Sequence, residues 1–274
     1  MELLRLISVG LVLGVVVVIP GVSAGTIAVV FNIYERLIEI ITPNIKKILA
    51  AWKFWLPLAI GAVAGIFFFS RIITILFTNY PVPTHWFFIG IITGSLPLIY
   101  NRVRQPGHVL PAIPVVLCCV LGLAVMVMMA VLNPAAEAAV YTVLTPQLFA
   151  SLTAGGALAA AALVIPGISG AFLLLVIGLY RTAIQAVSDL NIPLIAPVAL
   201  GAILGLLAGA ALVRLLLAKA PRATYGVVLG LVAGSVIVLF PGGLGDGVTV
   251  IFSIASMLAG GAVSFFSGRH SHTS

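Results

Sequence analysis

Ten apolar stretches follow one another along the sequence, at roughly 3–19, 25–41, 55–77, 85–100, 111–132, 147–165, 171–187, 193–217, 225–240 and 248–266. Short, turn-rich segments separate them. Such runs are either buried helices of a large soluble core or spans of a membrane, and the charges decide between the two. Only 7% of the residues are charged and 62% are apolar, whereas a soluble domain carries about a quarter charged residues because its surface must be hydrated. Thirteen Lys and Arg with six Asp and Glu cannot cover a water-exposed surface of this size. The chain therefore reads as an all-α integral membrane protein, since helices satisfy their own backbone in lipid. Its net charge of +7 then reports membrane topology and not a nucleic-acid footprint. Cys118 and Cys119 are neighbours in an apolar run, a poor geometry for a mutual disulfide and too few donors for a metal, so they read as packing thiols.

The stretch VVVIPGVSAGT, residues 16–26, poses a question of its own. With Arg5 ahead of it and Val22-Ser23-Ala24 at its end, it has the outline of an export signal with a cleavage site. The pattern returns 146 positions later as LVIPGISGAF, Leu163 to Phe172, where no export peptidase would act. Tyr34 and Tyr180 share that offset; Pro57, Gly61 and Gly65 match Pro197, Gly201 and Gly205 at an offset of 140. Gly90, Gly94 and Ser95 match Gly230, Gly234 and Ser235 at the same 140. Two five-segment units are expected, residues 1–132 and 147–267, with six fewer residues in one connection of the second.

The charges orient these units. Lys46, Lys47 and Lys53 follow the second segment of the first unit and Arg102 and Arg104 its fourth, while the loop after the third has no charge. In the second unit the pattern reverses: Lys219 and Arg222 follow the third segment, and Asp189 and Asp246 follow the second and fourth. Basic loops face the cytoplasm, so the units are expected to be inverted relative to each other, which an odd number of segments also requires. Arg5 and Arg269 fall on the same side, giving cytoplasmic N- and C-termini; Glu137, Asp189 and Asp246 fall on the other.

The first two segments of each unit are either two full spans or a re-entrant helical hairpin. With Pro20 to Gly25 near the midplane, Glu35 and Arg36 sit about 15 Å away, at the edge of a ~30 Å core, and Arg181 reaches the opposite edge. Full spans would put these charges near the centre, at about 3 kcal/mol each. The expectation is therefore a hairpin plus three transmembrane helices per unit. Proline and glycine stop the first half-helix, Ser23 or Thr26 can cap the second, and the unbonded N–H groups at its start attract an anion. Gly21, Ser23, Gly25 and Thr26, with Gly167, Ser169 and Gly170, are the candidate phosphate-binding residues; a simple kink in two buried helices is the plainer reading. Arg71 and Arg214 lie in corresponding helices and either grip a phosphate with two donors each or snorkel to headgroups. Glu35, Arg36 and Arg181 are candidates for coupling or gating, with an interfacial ion pair the alternative for Glu35 and its neighbour Arg36. His85, His108, His270 and His272 show no metal spacing, and no metal is expected.

The segments IPGVSAGTIAVVFNIYERLI and IPGISGAFLLLVIGLYRTAI resemble the two signature regions of the PopT-type polyprenyl-phosphate transporters, over nearly the whole chain. Ala24 and Asn32 depart from the pattern, standing where glycines are expected. The resemblance implies a multi-pass protein of the bacterial plasma membrane that returns undecaprenyl phosphate, the lipid carrier of wall precursors, from the outer to the inner leaflet. Its partners would be that lipid and the membrane, with no nucleic acid and no cofactor, and coupling to protons or another ion is open. Two other functions compete. An ion-coupled carrier of a small anion would use the same architecture. A lipid phosphatase is disfavoured, because neither Ser23 nor Ser169 has an Asp, Glu or His within its motif.

Overall fold

The computed structural model describes residues 2–17, 23–103, 112–131 and 140–269. Pro20, Gly21, Arg104, His108, Glu137, His270 and His272 lie outside them. The described residues form α-helices and no strand: α1 Glu2–Val17, α2 Ala24–Val30, α3 Tyr34–Ile40, α4 Ile45–Ala50, α5 Trp52–Asn79, α6 Pro81–Val103, α7 Ala112–Val131, α8 Pro146–Val164, α9 Gly170–Val176, α10 Tyr180–Ser188, α11 Ile192–Lys219, α12 Pro221–Leu239 and α13 Val248–Arg269. Six of them (α6, α7, α8, α11, α12 and α13) are long and apolar enough to cross a membrane.

Helix α1 packs along α5, and α8 packs along α11. Helix α6 packs with α13 and α12 with α7, so each of these pairs joins one half of the chain to the other, and α6 meets α12 between them. In lipid, helices associate by close approach over small residues and not by the hydrophobic effect. The glycines recognised by their spacing are those contact points. A Cβ on Gly61 or Gly65 would overlap the carbonyl oxygen of Ile7 or Leu11, and one on Gly201 or Gly205 that of Thr153 or Ala157. The contacts in the two pairs thus repeat at the offsets of 146 and 140.

The second apolar stretch of each half, expected as one helix, is two. Helix α2 ends at Val30 and α3 starts at Tyr34; α9 ends at Val176 and α10 starts at Tyr180, bent by 117° from α9. The breaks share one mechanism. Asn32 (φ 54) and Gly178 (φ 76) adopt the left-handed conformation. The N–H groups of Asn32 and Ile33 return to the carbonyls of Val29 and Ala28, at 3.0 and 2.9 Å. Those of Gly178 and Leu179 return to Leu175 and Leu174 at the same distances. These paired bonds close a helix C-terminus at a left-handed residue, usually glycine and sometimes asparagine. Asn32 is therefore a working substitute for the glycine of the second half.

We expect Gly65→Val and Gly205→Val each to lower stability by about 1–3 kcal/mol or more, because the added atoms meet backbone that cannot yield. Gly243→Ala should change nothing, since no atom lies within 4 Å of the added carbon. Thermal unfolding in detergent separates these outcomes.

Candidate functional site

In the second half, α8 ends at Val164, Pro166 removes a donor that a continuing helix would need, and Gly167 turns the chain with φ 95. Ser169 then caps α9, its hydroxyl accepting from the N–H of Phe172 at 3.4 Å. In the first half the described chain resumes at Ser23. Ser23 and Thr26 do not cap α2, in contrast to the expectation. Both side chains cross instead to the other half's turn. The Ser23 hydroxyl donates to the Ile165 carbonyl at 3.5 Å, and the N–H of Gly167 donates to Thr26 Oγ1 at 2.9 Å. The Tyr34 hydroxyl donates to the Val164 carbonyl at 3.0 Å. A Cβ on Gly25 would stand 3.0 Å from the nitrogen of Pro166. Two segments 142 or so residues apart thus form one buried polar contact, with Ser23, Thr26, Tyr34 and Ser169 all buried.

Of the candidate phosphate-binding residues, Ser23, Gly25, Thr26 and Gly167 are in this contact, and Ser169 and Gly170 start α9 beside it. Gly21 lies outside the described residues. A cavity of about 170 Å³ adjoins the contact, lined by Ala24, Gly25, Tyr34, Ile38, Ile41 and Leu206 among others. Among the described residues, Arg214 bonds to the end of α3 and not to the α8–α9 turn. Its Nη1 donates to the carbonyls of Ile38 and Ile41, at 2.6 and 2.5 Å, closing the C-terminus of α3, a position where a cation meets the negative end of a helix. Arg71 belongs to α5, and its side chain lies outside the described residues.

The coupling and gating candidates divide. Arg102 reaches Glu35 Oε1 through Nη1 at 3.1 Å and Asn32 Oδ1 through Nη2 at 2.6 Å, and the Tyr225 hydroxyl donates to the same Glu35 oxygen. Arg5 donates to the Phe31 carbonyl at 3.2 Å. The α2–α3 elbow is thereby held from α1, α6 and α12. Arg36 pairs with Glu2 at 3.1 Å and lies 4.2 Å over the Phe54 ring. Arg222 donates to the Val103 carbonyl at 3.0 Å, so Arg5, Arg36, Arg102 and Arg222 share one end of the molecule. Arg181, which occupies the position of Glu35 in the second half, is exposed and bonds to no described residue. Sequence reasoning noticed Asn32 as a departure and Arg102 as a loop charge, and missed Tyr225, which carries no local signal. No cluster of three or more metal-ligating side chains occurs among the described residues.

The sequence model of a family described as undecaprenyl phosphate translocase-like matches residues 13–250. A polyprenyl-phosphate transporter of Vibrio cholerae is 29% identical over 212 residues, covering 72% of this chain and 65% of that protein. A polyprenyl-phosphate transporter of Staphylococcus aureus is 28% identical over 273 residues, covering 95% of this chain and 94% of that protein. No solved structure matches.

Thr26→Val keeps the shape of the side chain but strands the buried N–H of Gly167, at a cost of about 1–3 kcal/mol. Ser23→Ala removes only the longer, 3.5 Å bond and should cost distinctly less. Unfolding of the two variants in detergent tests the ranking.

Proposed function

The chain belongs to the undecaprenyl phosphate translocase-like family, and from that premise we propose that this multi-pass membrane transporter carries undecaprenyl phosphate from the outer to the inner leaflet of a bacterial plasma membrane. The observation that carries the reading is the meeting of the two Pro-Gly-x-Ser regions in one buried polar contact. An anionic head needs donors inside the membrane, and helix starts supply them without the burial of a full charge.

The halves are read as an inverted repeat of a re-entrant hairpin plus three transmembrane helices, residues 1–132 and 147–267. The same element order apart from α4, like packing of α1 on α5 and of α8 on α11, and matched elbows support this. In the hairpins, Glu35 and Arg36 lie at one interface and Arg181 at the other. The grouping of Arg5, Arg102 and Arg222 supports cytoplasmic termini.

In the conformation described, the start of α2 is bonded to the α8–α9 turn. A phosphate enters by separating them, which frees the N–H of Gly167 from Thr26 and the hydroxyl of Ser23 from Ile165. Its oxygens then take over those donors, with the starts of α2 and α9 behind Ser23, Gly25 and Ser169, Gly170. Charge-assisted bonds are shorter and stronger than the neutral ones they replace, so the anion itself drives the turns apart. With the contact open, Gly25 lets the backbone approach the phosphate closely, and the isoprenoid tail remains in lipid. Arg71 and Arg214 receive the head at the two ends of the path; Arg214 does so on releasing the α3 carbonyls. The Glu35–Arg102–Tyr225 group closes one end as a gate, a role the ion pair supports over proton coupling, and Arg36 and Arg181 flank the two ends. The path requires no cofactor.

The test is leaflet exchange of undecaprenyl phosphate by the purified protein in proteoliposomes. Arg71→Ala and Arg214→Ala should each slow exchange about ten-fold or more, as loss of a charged phosphate contact would, while both variants remain folded by circular dichroism. Wild-type rates in both would remove the arginines from the path. Arg102→Gln should raise labelling of a Ser23→Cys reporter, in a background free of other cysteines, from the side of the basic loops; unchanged labelling would reject the gate.

A further inference from the structure

Helix α4 is the one element of the first half, among the described residues, with no counterpart in the second. Its six residues, Ile45–Ala50, account for the difference between the offsets of 146 and 140. The second half passes from α10 to α11 through Asp189, Leu190 and Asn191 alone. Asn44 and Asn191 do the same work, accepting from the N–H groups of Lys47 at 3.3 Å and Leu194 at 3.4 Å to start the next helix. The shared architecture is therefore complete without α4, and α4 serves something particular to its own side.

Its surface indicates what. Ile45 and Leu49 are one turn apart, Trp52 follows at the next, and they are 69, 61 and 51% exposed. Lys46, Lys47 and Lys53 are exposed as well, with the Lys53 ammonium 5.9 Å from the Trp52 ring. No Asp or Glu lies in the sequence between Glu39 and Glu137. On its inner side Ile48 is half-buried, and the Trp55 ring nitrogen donates to the Ile48 carbonyl at 2.9 Å, which fixes α4 to the start of α5. An exposed apolar stripe bordered by lysines, on a short helix tied to the apolar helix α5, is the pattern of an element lying in the bilayer interface. Lysines there are drawn to anionic headgroups, an attraction that salt screens.

We propose that α4 is a bilayer-surface foot whose partner is anionic phospholipid. Ile45, Leu49 and Trp52 enter the acyl boundary, and Lys46, Lys47 and Lys53 engage the headgroup phosphates of the adjoining leaflet. This assignment stands whether or not the transported molecule is a polyprenyl phosphate.

The full-length protein is reconstituted in vesicles free of polyprenyl phosphate that hold brominated-chain phosphatidylglycerol or brominated-chain phosphatidylcholine at equal mole fraction. The Trp52 share of fluorescence quenching is the difference between wild type and Trp52→Phe. The expected result is at least about two-fold stronger quenching of Trp52 by the anionic lipid at low ionic strength. That preference should fall in ~0.5 M salt and vanish in the combined Lys46→Gln, Lys47→Gln, Lys53→Gln variant. Equal quenching by the two lipids, or a preference kept by the combined variant, overturns the anionic partner. Quenching by neither overturns insertion. If the combined variant does not fold, the salt series on wild type decides, and a preference indifferent to salt rejects the proposal.

Discussion

A helix that breaks inside a bilayer strands peptide groups where no water can bond to them, and each stranded group costs several kcal/mol. The break between α8 and α9 is met by side chains of the other half. The carbonyls of Val164 and Ile165, left by the end of α8, are met by Tyr34 and Ser23, and the N–H of Gly167 is met by Thr26. None of these bonds can form within one half. The packing of α6 with α13 and of α7 with α12 holds the halves at the separation the bonds require. The buried contact and the exchange of long helices between halves are thus parts of one solution.

The two halves are not chemically equal at this contact. Ser169 caps its own helix, and Ser23 donates to the opposite turn without capping α2. The elbows differ in the same sense. Asn32 offers an amide oxygen to Arg102, while Gly178 offers no side chain, so the polar grip on the α2–α3 elbow has no equivalent at the α9–α10 elbow through that position. The residue that replaces the expected glycine therefore does two jobs, a left-handed turn and an anchor for a guanidinium.

Much of the fold was legible because membrane helices write their contacts in small residues at fixed intervals. Gly61, Gly65, Gly201 and Gly205 were visible as a repeat and prove to be points of backbone approach. The PG turns gave the place of the buried contact. The elbows were not legible as helix ends: each falls inside one largely apolar stretch, and Asn32 or Gly178 acts through a backbone conformation that composition does not encode. The partners of the candidate residues were hidden for a different reason. Bonds from Ser23, Thr26 and Tyr34 span some 130 to 142 residues of chain, and no local pattern states which hydroxyl faces which carbonyl. Arg214, for which the sequence allows a phosphate grip or snorkelling, closes the end of α3 in this conformation; a half-buried arginine satisfies each of these geometries on sequence alone.

The contact between the start of α2 and the α8–α9 turn has a strength that suits the proposed opening. It is built of neutral hydrogen bonds, each worth about 0.5–1.5 kcal/mol net, and one of them, from Ser23, is at the long limit. A salt bridge in the same place would hold more tightly once dehydrated, and separating it would leave an uncompensated charge. It would also compete with an anionic head for the same cation. Hydroxyls and amides avoid both penalties: they satisfy one another when the site is empty, and each can turn to a phosphate oxygen without a change of protonation. The formal charges stand instead at the α2–α3 elbow and on α3 and α11, where Glu35, Arg102 and Arg214 engage groups that a moving helix must release. On the proposed path, the neutral bonds in the middle exchange partners while the charged groups stand at the ends.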